Sequence, residues 1–185
     1  ISKGSCRVYA ESTDGNEIRG IVDVVVKPAV NATSVAISAS SVTMLPGQTR
    51  RLSVRVKPSN TTESIAWYSS DESVATVDSN GVVTSKGQGL ATIYAISTDT
   101  GLESSCDVIV LALNATYITL EQYDSYDLDV FGATGTIKWY SNNKRVATVS
   151  QNGTVVGRMA GKTTIAAKVN GKVLYCTVVV RTMNK

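Results

Sequence analysis

The 185-residue sequence has no histidine, one phenylalanine and three prolines. Without an imidazole the chain lacks the commonest general base, the commonest zinc ligand and every Ser-His or Cys-His nucleophile. Charge is sparse at 18% of residues and nearly balanced at +3, so nucleic acid is not an expected partner. No apolar run reaches the roughly 20 residues of a membrane helix, and direct membrane insertion is not expected. Three cysteines, Cys6, Cys106 and Cys176, lack the paired spacing of a zinc site. What the chain does have is a 43% apolar content, enough for a packed core, carried by Val, Thr and Ser in the usage of strands and turns.

The sequence repeats itself. Ile65-Ala66-Trp67-Tyr68-Ser69-Ser70, Val74-Ala75-Thr76-Val77 and Asn80-Gly81-Val82-Val83 return as Ile137-Lys138-Trp139-Tyr140-Ser141-Asn142, Val146-Ala147-Thr148-Val149 and Asn152-Gly153-Thr154-Val155. The offset stays at 72 residues, and both tryptophans of the chain occupy this one position. That is an internal duplication. A third, partial copy opens the chain: Val8-Tyr9-Ala10 matches Ile93-Tyr94-Ala95, and Asp23-Val24-Val25-Val26 matches Asp107-Val108-Ile109-Val110.

Each repeat reads as short strands separated by turns. The Asn-Gly pairs between Val-rich runs are hairpin signals, because both residues tolerate positive φ. Leu52, Val54 and Val56 alternate with Arg51, Ser53 and Arg55, the period-2 pattern of one half-buried strand. Ser69-Ser70-Asp71-Glu72 offers one capped turn and no more. Seven or so strands in about 80 residues predict a small Greek-key sandwich.

The pattern Trp-Tyr-Ser-Ser, Val-Ala-Thr-Val, Asn-Gly-Val-Val, with Leu45-Pro46-Gly47-Gln48-Thr49 and Lys57-Pro58, resembles the bacterial immunoglobulin-like domain, group 2. The resemblance implies an all-β chain of tandem immunoglobulin-like Greek-key β-sandwiches. Residues 1–28 are then the C-terminal strands of an incomplete upstream repeat, and 29–112 and 113–185 are two complete domains. In the second, Tyr123-Asp124-Ser125-Tyr126 stands where the first has its Pro-Gly turn. The resemblance further implies an exported bacterial protein, extracellular or on the cell surface. Its role would be a non-catalytic stalk or spacer contributing to adhesion, its partners neighbouring repeats and a host matrix protein or glycan. An accessory carbohydrate-binding module of a surface glycosidase is the alternative.

Specific sites are few. Recurrence at one repeat position makes Trp67 and Trp139 core residues of a third strand rather than sugar platforms. Cys106 and Cys176 sit at equivalent repeat positions, a domain length apart, so three free, half-buried thiols are expected. Glu121, Tyr123, Asp127 and Asp129 share one strand face by period 2, with Asp124 beside them; Glu121, Asp124, Asp127 and Asp129 are the candidates for a calcium ion or a partner contact. Matching strand positions in the first repeat carry Arg50, Arg51, Arg55 and Lys57, which suggests a charge-complementary contact between repeats or between neighbouring chains. Tyr117, Tyr123 and Tyr126 are the candidate glycan-stacking residues. No cofactor is expected otherwise, and no nucleophile-base pair points to an enzyme.

Overall fold

The computed structural model describes residues 3–13 and 19–182. All regular structure among them is strand and turn. Strands β1 (Gly4–Glu11) and β2 (Arg19–Val26) form an antiparallel hairpin on their own. Nearly every residue of the hairpin is exposed, Val8, Tyr9, Ile21, Val22 and Val25 included. Two cross-strand ion pairs, Arg7–Asp23 at 2.6 Å and Arg19–Glu11 at 3.0 Å, decorate it, each solvent-screened and worth little.

The first sandwich comprises β3 (Ser34–Ile37), β4 (Ser41–Met44), β5 (Thr49–Arg51), β6 (Val54–Lys57), β7 (Ile65–Ser69), β8 (Ala75–Val77), β9 (Val82–Ser85), β10 (Gly89–Ser97) and β11 (Glu103–Val110). A four-stranded sheet in the order β4-β11-β10-β7 faces a three-stranded one, β5-β9-β8, with β3-β6 as a flanking pair. β4 runs parallel to β11; the other pairs are antiparallel. Inward residues at every second position, among them Ile93, Cys106, Val108 and Val110 facing Leu52 and Val83, form one core.

The second sandwich repeats this: β12 (Ala112–Leu113), β13 (Tyr117–Glu121), β14 (Ser125–Asp127), β15 (Val130–Phe131), β16 (Lys138–Ser141), β17 (Ala147–Val149), β18 (Thr154–Gly157), β19 (Gly161–Val169) and β20 (Lys172–Arg181). Its sheets are β13-β20-β19-β16, β14-β18-β17 and β12-β15. Ile165, Ala167, Cys176 and Val178 against Leu128 and Val155 make its core.

Two local expectations change. The alternating run from Arg51 to Lys57 is two strands: β5 pairs with β9, β6 with β3, and the chain switches layers at Leu52 and Ser53. Leu52 is buried at 2% exposure because it sits at this corner. The tryptophans are half-buried on the fifth strand of each unit, packed against the rim of the core. The Asn-Gly loops explain their place. Asp78 accepts from the amides of Asn80 (2.9 Å) and Val82 (2.8 Å), which folds residues 78–81 under the indole. Gly81 has φ +74, and a methyl there would stand 2.8 Å from Trp67 Cζ2. In the second unit the Ser150 hydroxyl takes the role of Asp78, accepting from the amides of Asn152 and Thr154. Trp67 and Trp139 are lids over glycine turns. The expected single capped turn is present, with Asp71 Oδ1 accepting from the Ser73 amide at 2.9 Å.

Candidate functional site

The acidic residues do not share one strand. Glu121 ends β13, Tyr123 and Asp124 lie in the following turn, Asp127 ends β14, and Asp129 falls between β14 and β15. Each participates in a local turn. The Asp124 amide donates to Glu121 O at 3.1 Å, and its carboxylate accepts weakly from the Glu121 amide. The Asn114 side chain donates to Asp127 O and accepts from the Asp129 amide, both at 2.9 Å, pinning that loop to the start of the unit. Among the described residues no three carboxylates or thiols converge on a point that could hold a metal.

The Pro-Gly turn has a hidden counterpart. Pro46-Gly47 is closed by Gln48 N–H donating to Leu45 O, with Gly47 at φ +79. In the second unit Gln122-Tyr123 takes these corners, closed by Asp124 N–H to Glu121 O, with Tyr123 at φ +76. The substitution is therefore one position earlier than the sequence reading placed it. Tyr123 stands 67% exposed at the tip, Tyr117 is exposed on β13, and Tyr126 is half-buried against the core. Tyr117 is thus on one sheet, Tyr123 in the turn that follows it and Tyr126 on a strand of the other sheet.

The repeats do meet, but through apolar groups and hydrogen bonds rather than ion pairs. Ion pairs among the described residues are confined to the β1–β2 hairpin, so the expected charge pairing between repeats within the chain is not made. One residue, Leu111, separates β11 from β12, and it is fully buried in the core of the second sandwich. Its amide donates to Met44 O of the first sandwich at 2.9 Å. Leu45 and Ile109 of the first unit pack against the same core. Gly132 (φ +75) lets the second unit come close: a methyl there would stand 2.8 Å from Ile109 Cγ2. Lys172 Nζ then reaches across to Gln48 Oε1 at 3.2 Å, an oxygen that also accepts from the Leu45 amide. This joint was hidden because Val108 to Leu113 reads simply as an apolar run.

A second feature escaped the sequence reading. Glu63 ties three segments of the first unit, accepting from the Ala32 amide (2.7 Å), the Thr100 hydroxyl (2.9 Å) and the Ser97 hydroxyl. Desolvation alone would raise its pKa; the hydrogen bonds outweigh it and hold the carboxyl at about 2. A depressed carboxylate stabilises the fold above its unfolded pKa, and that contribution is lost as pH falls toward the folded value. Stability of the first sandwich should therefore decline between the ordinary carboxylate value of 4.5 and about 2. Glu63→Gln should lower stability at neutral pH and flatten this acid slope. Trp67 fluorescence in a Trp139→Phe background reads the first unit separately; an unchanged slope would contradict the assignment.

The thiols are free, as expected, but not alike. Cys106 and Cys176 are wholly buried, and burial pushes both thiols up; Cys6 is exposed on β1. A thiol reagent should titrate one equivalent in the native chain, at Cys6, and all three after denaturation. Rapid native reaction at Cys106 or Cys176 would mean the cores open easily.

A profile of the bacterial Ig-like domain (group 2) matches residues 31–108 and 119–178, and the chain belongs to this family. It is 28% identical to an uncharacterized protein of Clostridium acetobutylicum, the match covering 92% of this chain and 18% of that protein. It is 42% identical to a minor capsid protein of enterobacteria phage T3 (43% of this chain, 18% of that protein). It is 32% identical to an alpha-L-arabinofuranosidase of Bifidobacterium longum (67% and 12%). The chain thus spans less than a fifth of the length of these relatives. Among solved structures it is similar to a C-terminal fragment of intimin in complex with the intimin-binding domain of the translocated intimin receptor. The TM-score is 0.45 at 17% identity, over 81% of this chain and 64% of that one.

Proposed function

We propose that this chain is a non-catalytic spacer within a longer exported bacterial surface protein, holding other domains at a set distance and orientation and contributing adhesive contacts. The observation that carries this is the joint. A single buried residue between two sandwiches, flanked by Leu45 and Ile109, leaves no free linker about which the units can swing. On this reading residues 29–112 and 113–185 are successive rods of one stalk. The β1–β2 hairpin is the closing pair of a preceding repeat: Gly4 pairs with Val26 and Val8 with Val22, as Gly89 pairs with Val110 and Ile93 with Cys106.

In the parent protein, exchanging the chain for an unrelated stiff tandem of similar length should preserve the activity of the domains it joins. Exchange for a flexible Gly-Ser segment should impair it. Equal impairment by both would show that the chain supplies something more specific than spacing. The matching segment of an arabinofuranosidase supports a second reading, an accessory module of a carbohydrate-active enzyme.

A further inference from the structure

The outward face of the β13-β20-β19-β16 sheet carries a row of unpartnered tyrosines. Tyr140 on β16 pairs in register with Ala166 on β19, which pairs with Tyr175 on β20. Tyr117 on β13 pairs with Thr177, two residues beyond Tyr175, and so stands diagonal to it within reach of a side-chain contact. The three rings are 52%, 60% and 58% exposed, while Ala166 between the first two is at only 9%. An outward-facing alanine this covered forms the floor of a shallow trough between flanking side chains.

One border of the row is basic. Lys138 stands directly opposite Lys168, both exposed; Lys162 lies on the other side of the row, in register with Val179 and so in line with Thr119. Glu121, the face's one acid, is in register with Arg181 at the far end. Like charges directly opposed across strands cost stability, so the fold gains nothing from the Lys138–Lys168 pair. The other border is hydroxylic, with Thr164 opposite Thr177 and Thr119 beyond.

The same row in the first sandwich is built differently. Tyr68 and Tyr94 pair in register and stack on each other, centroids 4.6 Å apart and planes 10° from parallel, so each ring spends a face on the other. The charges on that face are acidic, Glu103 and Asp107. In the second unit Ala166 replaces the central tyrosine, which frees the ring of Tyr140.

We propose that this face binds a carboxylated polysaccharide laid across the strands. Tyrosine faces take the apolar faces of sugar rings, hydroxyls on one side take sugar hydroxyls, and the lysine pair takes carboxylates. Tyr140 and Tyr175 are two strands apart, about 10 Å at ordinary strand spacing, close to the length of two pyranose units in an extended chain. The surplus of cations on this face selects an acidic polymer over a neutral one. The proposal does not depend on the spacer reading.

Affinity electrophoresis of the full chain tests it, with polygalacturonate, hyaluronate and fully methyl-esterified pectin as probes. The acidic polymers should retard the chain, less so at higher salt, and the esterified one should not. Tyr140→Ala/Tyr175→Ala should weaken binding about tenfold or more. Lys138→Gln/Lys168→Gln should weaken binding while leaving the unfolding temperature unchanged or raised, an opposite pair of effects that misfolding cannot produce. Tyr68→Ala should change nothing. Failure of both acidic polymers to retard the chain overturns the proposal. So does loss of binding in the lysine variant alone, which would mean unspecific charge attraction. A concentration-dependent dimer by sedimentation, abolished by the tyrosine substitutions, would reassign the face to self-association and also overturn it.

Discussion

Gly153→Ala should destabilise the second sandwich by about 3 kcal/mol, combining a left-handed backbone strain with an overlap that cannot relax. For a unit of this size that is a drop in Tm of about 15 °C. Gly153 has φ +88, and a methyl on it would collide with Leu128 O and approach Trp139 Cζ2 to 2.9 Å. The Leu128 carbonyl is not free to withdraw, because the Leu128 amide is itself held by Gly153 O at 3.0 Å. Gly171 supplies the control. It has a similar φ of +72 but nothing within 4 Å of an added methyl. Gly171→Ala should therefore cost only about 1 kcal/mol, the backbone share alone. If the two variants lose equal stability, the indole lid contributes nothing and the Trp-Gly pairing is incidental. A cycle with Trp139→Ala adds a second check: removing the ring should relieve part of the Gly153→Ala penalty, so the two changes should not add.

Leu111→Ala should cost about 3 kcal/mol, in the range for removing a fully buried leucine. Its second effect is the more informative one. Leu111 belongs to the core of the second unit while its amide is bonded to Met44 O of the first. Truncation should thus loosen the joint as well as the core, and the two tryptophans should report separate unfolding transitions. Gln48→Ala, by contrast, removes the side-chain oxygen that accepts from Lys172 and from the Leu45 amide, and should cost about 1 kcal/mol with the joint still closed. A Leu111→Ala chain that melts as the parent does would place the coupling elsewhere.

Much of this architecture was legible in the residues. The constant spacing from Ile65 and Ile137 onward marked the duplication, and the Trp, Asn-Gly and Val-rich segments all fall where a sandwich needs strands and turns. What stayed hidden required knowing which strands are neighbours. Alternation runs unbroken through Leu52 and Ser53, so nothing in the pattern announces that the chain changes sheet there. Tyr123 occupies a glycine's conformation without a glycine's signature; hydrogen bonds from the amides of Asp124 and Gly157 hold that turn instead. Leu111 looks like the end of a strand, and only the packing shows it to be a plug. Tyr140 and Tyr175 lie on strands that never adjoin in sequence, so their common row exists only through the register of β19 between them. Glu63 sits in a polar loop and gave no sign that Ala32, Ser97 and Thr100 would gather around it.

The Leu111 joint holds the two sandwiches as one body. The direct measurement is the distance distribution between spin labels at Ser79 and Gln151, equivalent exposed positions in the two Asn-Gly loops, in a Cys6→Ser chain. A single narrow distribution is expected, and it should broaden in Leu111→Ala. A broad distribution in the parent chain, no wider after Leu111→Ala, would mean that the repeats swing freely and that the spacer is a string of beads.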